Sequence, residues 1–199
     1  MIDLSSISDE TPLYLFKKFY EEAFNNKQKN IEAVVISSYD SAINYVDSRY
    51  VNLKYVVENQ FIFFSNYMSP KSIQFGKHDQ VSMVFFWNAI NLQIRIAGNI
   101  KKCSDEFSDN HFLKRSDNKN ALSISSMQSQ TIQKYQDVIN NYEEVKNNKK
   151  ILKIRPEYWG GFAVTPYSFE FWEGHESRIN KRNLYTLKDT KWIHKILQP

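Results

Sequence analysis

Ser69, Pro70 and Lys71 form the first segment of this sequence whose residue types could do chemistry. A serine followed by a proline is typical of a helix N-terminus, with serine at the cap and proline at the first helical position. The free backbone N–H groups of such a terminus, the positive end of the helix dipole and the lysine would together attract a phosphate. Because most capped helix starts bind nothing, this segment alone indicates only an anion site.

Arg49 and Lys54 flank a strand predicted over residues 50–57 and could add positive charge to such a site. Their spacing is odd, and a regular strand would direct the two side chains to opposite faces. The spacing therefore requires either a bulge between the two residues or two different ligands.

The most informative part of the sequence is its C-terminal quarter. It contains RPEYWGGF over residues 155–162 and EFWEG over residues 170–174, followed by Arg178 and Arg182. This block resembles the C-terminal signature of the pyridoxamine 5'-phosphate oxidase family. The resemblance supports a role for these residues beyond that of ordinary core aromatics and solvated arginines.

Earlier segments resemble the same family in the same order. Residues 49–54 resemble its Arg-x-x-x-x-Lys strand, and residues 64–71 resemble its next strand and phosphate-binding turn. Residues 93–98 resemble its Gln-Val-Arg-x-x-Gly strand, and residues 128–129 its Gln-Ser pair. The resemblance covers roughly residues 11–199, which is nearly the whole chain.

The resemblance implies a split β-barrel homodimer with FMN in clefts shared between subunits. The implied FMN-binding residues are Arg49, Phe64, Ser65, Lys71, Gln93, Gln128, Ser129, Trp172 and Arg182. The implied substrate-binding residues are Lys54, His111, Arg115, Lys119 and Arg178, with Arg178 and Asn180 at the reacting centre. The implied reaction oxidises pyridoxamine or pyridoxine 5'-phosphate to pyridoxal 5'-phosphate through the flavin, and O2 is reduced to H2O2.

The sequence departs from the family mainly on the substrate side. Asn180 replaces a histidine, His111 aligns with a tyrosine and Lys119 with a serine, and Pro70 replaces a basic residue at the FMN-phosphate turn. An Arg-Arg-x-x-Tyr segment typical of the family's N-terminus is also missing. These departures leave three hypotheses: a divergent pyridoxamine 5'-phosphate oxidase, a flavin oxidase of another reduced ring resembling the phenazine-biosynthesis members, or a non-catalytic protein that binds FMN or pyridoxal phosphate.

Hydrophobic periodicity predicts the elements that position these residues. A helix is predicted after Thr11-Pro12, and two or three amphipathic helices within residues 105–148. Strands are predicted over residues 32–38, 50–57, 60–65, 80–87, 91–101, 161–165, 168–173, 183–187 and 191–197. Many short strands with tight turns predict a closed β-barrel. We therefore expect a mainly β fold with helices in one domain over residues 1–199, with a helical insertion at about 105–148 and a dimerisation region at about 155–199.

Composition excludes several other classes of function. The net charge of +4 is not gathered into a basic stripe, so no nucleic-acid partner is expected. The single cysteine, Cys103, excludes an intrachain disulfide and a cysteine-rich metal site, and the histidines lack metal-ligand spacing. The apolar runs are too short to span a bilayer and no signal segment is visible, so the expected compartment is the cytoplasm.

Overall fold

The computed structural model describes residues 1–199 as nine strands and five α-helices. The strands are β1 Asp3–Ile7, β2 Ala33–Asp40, β3 Tyr45–Glu58, β4 Gln60–Asn66, β5 Gln80–Trp87, β6 Leu92–Lys102, β7 Trp159–Glu173, β8 Lys181–Lys188 and β9 Lys191–Leu197. The helices are α1 Leu13–Asn25, α2 Pro70–Lys77, α3 Asp105–Lys114, α4 Asp117–Ser125 and α5 Tyr135–Asn147. Helices α3, α4 and α5 lie in the interval for which the sequence predicts helices.

Six strands close into a barrel in the order β3-β2-β5-β6-β7-β4, and β4 pairs with β3 to complete the ring. Neighbouring strands of this ring are all antiparallel. The short β1 adds to β3 in parallel, while β8 and β9 continue the sheet outward from β7. Closure satisfies the strand edges, and it confirms the predicted barrel with added helices.

Aromatic side chains fill the barrel interior, where helix α1 supplies Phe16. The Phe16 ring is fully buried, and its centroid lies 4.9 Å from that of Phe61, 5.5 Å from Phe85 and 5.6 Å from Trp87. The barrel strands contribute alternate residues to the same core, as Leu92, Ile94 and Ile96 do from β6. Ten of the 30 aromatic residues of the chain are buried in this core.

Two differences from the predicted elements have physical causes. Strand β7 is continuous through Pro166, where the sequence predicts a break, because the ladder to β6 shifts register between Ala97 and Gly98, and Gly98 lies opposite the proline. A proline has no N–H to donate, so it is tolerated at such an irregularity. Strand β1 escapes prediction because DLSSI is short and polar, and only its pairing with β3 makes it a strand.

The helices do not provide a membrane span, since none of them combines the length and the apolar composition that crossing a bilayer requires.

Candidate functional site

A cavity of about 470 Å³ opens beside strands β3 and β4 and helices α2, α3 and α4. Residues for which the sequence predicts ligand contacts line much of it. These residues are Lys54, Phe64, Ser65, Lys71, His111, Arg115, Lys119 and Gln128. The fold thus brings residues predicted for the cofactor together with residues predicted for the substrate.

A β-bulge places Lys54 in this cavity. In the ladder between β3 and β4, Leu53 pairs with Phe63 and Tyr55 pairs with Ile62, so Lys54 is the extra residue on β3. The Lys54 Nζ atom lies 3.1 Å from Glu32 Oε1. Arg49, on the regular part of the same strand, does not line the cavity. The bulge is thus at Lys54 itself, and the two cations lie in different surroundings.

Helix α2 begins as the sequence predicts, with Ser69 at the cap and Pro70 in the first turn. The Ser69 hydroxyl does not cap a backbone N–H, however. It donates to the Asn66 carbonyl at 2.8 Å and accepts from Lys71 Nζ at 3.0 Å. The first turn offers a single free backbone N–H group, that of Lys71, because Pro70 has none and those of Ser72 and Ile73 donate to the Ser69 carbonyl at 2.9 and 3.1 Å. The several free N–H groups expected from the sequence are thus reduced to one.

Lys71 is a buried cation without a carboxylate partner, since it takes part in no salt bridge. Burial lowers the pKa of Lys71 to about 8, and the positive charge of Arg49 acts in the same direction while Asp47 opposes it. A desolvated ammonium at a helix N-terminus is stabilised by a bound anion. The position therefore fits a phosphate group.

Arg49 contacts β2 and α2 rather than the cavity. Its Nη1 donates to Ser38 Oγ at 2.6 Å, and its Nη2 donates to Gln74 Oε1 at 3.2 Å and to the Asp47 carboxylate. The guanidinium is thus held rigidly, and it is close enough to Lys71 to influence its pKa.

His111, on α3, stacks on the aromatic wall of the cavity. Its ring centroid lies 3.7 Å from that of Phe64 with an interplanar angle of 9°, and its Nδ1 lies 2.8 Å from the Tyr55 hydroxyl. Burial lowers the pKa of His111 to about 4, and the cations Arg115 and Lys54 add to this effect. The imidazole is therefore neutral at pH 7.

Arg115 follows α3 and lies over the indole of Trp159, with its guanidinium carbon 4.3 Å from the ring centroid. Its Nη2 donates to the Lys119 carbonyl at 3.0 Å, whereas Nη1 is buried without a hydrogen-bond partner. Burial lowers the pKa of Arg115 to about 10. A buried cationic donor without an acceptor is costly, and an anion bound in the cavity would provide the missing acceptor.

Gln128 and Ser129 follow α4, and only Gln128 lines the cavity. Its Oε1 is 3.4 Å from both the Ser65 hydroxyl and the Asn66 backbone nitrogen. These long contacts leave the amide available to a ligand. Ser129 adopts a left-handed backbone conformation with φ of 69°.

Gln93, Trp172 and Arg182 form a second cluster outside the cavity. Gln93 on β6 pairs with Trp172 on β7, which pairs with Arg182 on β8, so the three residues are neighbours across the sheet. Arg182 Nε donates to Glu170 Oε1 at 2.8 Å, and its Nη1 donates to the Gln198 carbonyl at 3.0 Å. Within one chain, the predicted cofactor-binding residues therefore occupy two separate places.

Arg178 and Asn180 lie in the loop between β7 and β8. Asn180 Oδ1 accepts a hydrogen bond from the backbone N–H of His175 at 3.0 Å, and Arg178 is exposed with φ of 60°. Neither residue lines the cavity of its own chain.

Trp159, which lines the cavity, and Tyr55, which contacts His111 behind it, are among the residues that the sequence does not identify as part of the site. Trp159 belongs to the C-terminal signature, so its position in the motif is a signal that could have identified it. Tyr55 carries no such signal, because only the bulge at Lys54 and the position of α3 bring its hydroxyl to His111.

Comparisons with known sequences identify the family of the chain. Residues 20–162 match the family model described as pyridoxamine 5'-phosphate oxidase, and residues 159–199 match the one described as pyridoxine 5'-phosphate oxidase C-terminal dimerisation region. The chain is 34% identical over 202 residues to a pyridoxine/pyridoxamine 5'-phosphate oxidase of Legionella pneumophila (strain Lens), covering 100% of this chain and 93% of that protein. It is 33% identical over 190 residues to the Haemophilus influenzae protein of the same name, covering 96% and 90% respectively.

Solved structures share the fold. PhzG from Burkholderia lata, in complex with tetrahydrophenazine-1-carboxylic acid, superposes with a TM-score of 0.88 at 22% identity, covering 94% of this chain and 92% of that one. A pyridoxamine 5'-phosphate oxidase-related, FMN-binding protein from Nostoc punctiforme superposes with a TM-score of 0.78 at 14% identity, covering 96% and 99%. From the two family matches and these relatives, the chain belongs to the pyridoxamine 5'-phosphate oxidase family and is an FMN-dependent oxidoreductase.

Proposed function

We propose that this protein oxidises pyridoxamine or pyridoxine 5'-phosphate to pyridoxal 5'-phosphate, with O2 as the final electron acceptor and H2O2 as a product. The observation that carries the proposal is the unpartnered, buried Nη1 of Arg115 in the same cavity as Lys71. The cavity thus offers cations for two anionic groups, as a phosphorylated cofactor and a phosphorylated substrate together require. The identities of the curated relatives support the same substrate class.

The residues around Lys71 fit the phosphate of FMN. Lys71 supplies a positive charge and the one backbone N–H of the first turn of α2 that has no acceptor, and the Ser65 hydroxyl and the Gln128 amide lie in the same cavity. When bound, FMN supplies the two-electron oxidation chemistry that no side chain of the protein can supply. The contribution of the protein is to bind, orient and shield the reacting groups.

We assign the substrate phosphate to Lys54, Arg115 and Lys119. All three residues line the cavity, and Arg115 is fixed by its contacts with Trp159 and the Lys119 carbonyl. A guanidinium held in this manner can form two parallel hydrogen bonds to a phosphate. The His111 and Phe64 rings offer a flat apolar wall beside these cations.

The functional unit in this proposal is a homodimer. The cluster of Gln93, Trp172 and Arg182 does not line the cavity of its own chain, nor does Arg178. A two-fold dimer would bring these residues to the cavity of the other subunit, so that each site is built from both chains. The match of residues 159–199 to a dimerisation region supports this arrangement.

Oxidation of another reduced heterocycle is the second candidate function. PhzG, which shares the fold, holds a reduced tricyclic carboxylic acid. The observation in this chain that favours the alternative is Asn180, because an amide cannot transfer a proton near neutral pH and its oxygen is already bonded to His175. A carboxylate could also bind Arg115.

The test is an anaerobic spectrum of the FMN-loaded protein before and after addition of pyridoxine 5'-phosphate or pyridoxamine 5'-phosphate. Bleaching of the flavin band, with colour restored by air, is the expected result. Unphosphorylated pyridoxine and the Arg115→Met variant are the controls. The flavin should bleach far more slowly when the wild type is given unphosphorylated pyridoxine, and also when the variant is given either phosphorylated compound. Bleaching by a reduced tricyclic acid alone would favour the second function, and flavin that every compound leaves oxidised would contradict both.

A further inference from the structure

We propose that His111 takes up a proton when an anionic group enters the cavity, so that this protein favours a dianionic phosphate ester over a monoanionic carboxylate. The inference rests on the proposed function, because it concerns the group that would bind the substrate anion. It adds a role for a residue that departs from the family pattern.

The position of His111 suits such a role. The ring is fixed on one face by Phe64 at 3.7 Å, and Nδ1 is fixed by the Tyr55 hydroxyl at 2.8 Å. Its other nitrogen, Nε2, forms no hydrogen bond with the chain, and the residue lines the cavity. The imidazole is therefore preorganised, with one nitrogen left for a ligand.

Tyr55 can accommodate both protonation states of His111. A phenol hydroxyl donates to a bare Nδ1 and accepts from a protonated Nδ1 by rotation of its own proton. Gain of a proton therefore breaks no hydrogen bond within the chain, and the stack on Phe64 is kept. The structure thus holds the same ring position in the neutral and the charged form.

The charges that face His111 are mostly positive. Arg115 and Lys114 lie on or beside its own helix, Lys119 on α4 and Lys54 on β3. On the acidic side, Glu32 is paired with Lys54, Asp105 and Asp109 are paired with Arg155, and Asp3 lies near Tyr55. Burial lowers the pKa of His111 to about 4, and the charges of Arg115, Lys114 and Lys119, which form no salt bridge, further disfavour a positive charge on it.

Binding of an anion reverses this balance. A dianion beside Arg115 and Lys119 neutralises much of the repulsion on His111 and attracts a proton to it. A monoanion does so less, because its single charge is already balanced by Arg115. Proton uptake therefore adds binding free energy for a dianion in particular, and by linkage the affinity for a dianion rises as the pH falls.

In the family pattern, the position of His111 is a tyrosine, and a tyrosine side chain cannot gain a positive charge. Lys119, together with His111 once it is protonated, therefore makes the cavity of this chain more cationic than the pattern it departs from. Such a change suits a phosphate ester more than a carboxylic acid, so it bears directly on the choice between the two candidate functions.

The experiment follows the His111 ring by NMR in full-length, FMN-loaded protein with 13C-labelled histidine. Sulfate is the probe, because it remains a dianion between about pH 5 and 8, so that any pH dependence belongs to the protein. Sodium chloride at matched ionic strength is the control for screening. The chain has four histidines, and the variant His111→Gln identifies which resonance belongs to His111.

We expect sulfate to raise the titration midpoint of His111 by about two pH units or more from its value of about 4, with no such change for the other histidines or in chloride. Sulfate affinity should increase as the pH falls from about 7 to 5 in the wild type and stay constant in His111→Gln. A midpoint that sulfate leaves unchanged would overturn the inference. Failure of the proposed function would be a separate result, in which His111 responds to sulfate but neither pyridoxine 5'-phosphate nor pyridoxamine 5'-phosphate bleaches the flavin.

Discussion

The Asn180 side-chain oxygen accepts a hydrogen bond from the backbone N–H of His175 at 3.0 Å. The bond closes the loop between β7 and β8, and Arg178 occupies this loop with a φ of 60°. A left-handed conformation is unfavourable for a residue with a side chain, so the loop depends on local hydrogen bonds to maintain it. We infer that Asn180 acts by positioning Arg178.

Replacement of Asn180 tests this positioning role. Asn180→Ala removes the acceptor, and Asn180→Asp keeps it. One hydrogen bond contributes about 1 kcal/mol, so the alanine variant should lose roughly fivefold in kcat/KM and the aspartate variant should stay close to the wild type. Asn183→Ala is the control, because Asn183 contacts His194 in the neighbouring β8–β9 ladder. Equal losses in the alanine and aspartate variants would argue against positioning.

Arg178 and Arg49 should separate turnover from cofactor retention. Arg178 is exposed in the loop, and Arg49 is anchored by Ser38 on β2 and by Gln74 on α2. We expect Arg178→Ala to reduce kcat/KM by roughly 10- to 100-fold with little loss of FMN, and Arg49→Ala to weaken FMN binding by a similar factor. Flavin fluorescence and steady-state rates measure the two effects. The same phenotype in both variants would refute this division of the site.

Lys71 should destabilise the protein when FMN is absent. Its pKa in the folded chain is about 8, below its ordinary value of 10.5. Between these two values the unfolded chain binds more protons, so the contribution of Lys71 to apoprotein stability increases as the pH rises from 8 to 10.5. Lys71→Met should therefore stabilise the apoprotein at pH 7 by on the order of 2 kcal/mol while weakening FMN binding.

Thermal unfolding of the wild type and of Lys71→Met, with and without FMN, measures both effects. The difference in apoprotein stability between the two proteins should shrink as the pH rises above 8. If the apoprotein of the Lys71→Met variant were less stable than the wild type at pH 7, Lys71 would have to be compensated already within the chain.

Arg115 gives a matched prediction on the substrate side. Since its Nη1 is buried without a partner, Arg115→Met should maintain apoprotein stability while it weakens binding of the phosphorylated substrate by roughly 10- to 100-fold. FMN affinity should change little, because Arg115 contacts Trp159 and Lys119 rather than α2. Titration with pyridoxal 5'-phosphate, followed by flavin fluorescence, reports substrate-site binding. A loss of FMN equal to the loss of this ligand would contradict the assignment.

The barrel was predictable because its strands alternate clearly, as in β6, where apolar residues face the core. Features that depend on contacts between distant segments were not predictable. The spacing of Arg49 and Lys54 indicates a bulge only as one of two explanations, because the bulge is a property of the ladder between β3 and β4. The stack of His111 on Phe64 depends on where α3 packs. The separation of Trp172 from the cavity likewise follows from sheet register. A sequence motif identifies such residues, but only the fold determines which of them meet.

The position of Gly98 in the ladder between β6 and β7 should not tolerate any side chain. A Cβ at Gly98 would lie 2.6 Å from the Thr165 carbonyl oxygen and 2.8 Å from Val164 Cγ1. Because the first of these atoms belongs to the backbone of a barrel strand, it cannot move without disturbing the ladder. Gly98→Ala should therefore destabilise the protein by about 1–3 kcal/mol.

Gly76, near the end of α2, provides the matched control because a Cβ there meets no atom within 4 Å. Gly76→Ala should stabilise the protein by about 0.5–1 kcal/mol, since alanine loses less conformational entropy in a helix. Urea unfolding of both variants measures the two changes against the wild type. If Gly98→Ala were as stable as Gly76→Ala, β6 and β7 could not lie as close together as the register shift between Ala97 and Gly98 requires. The continuity of β7 through Pro166 would then need another explanation.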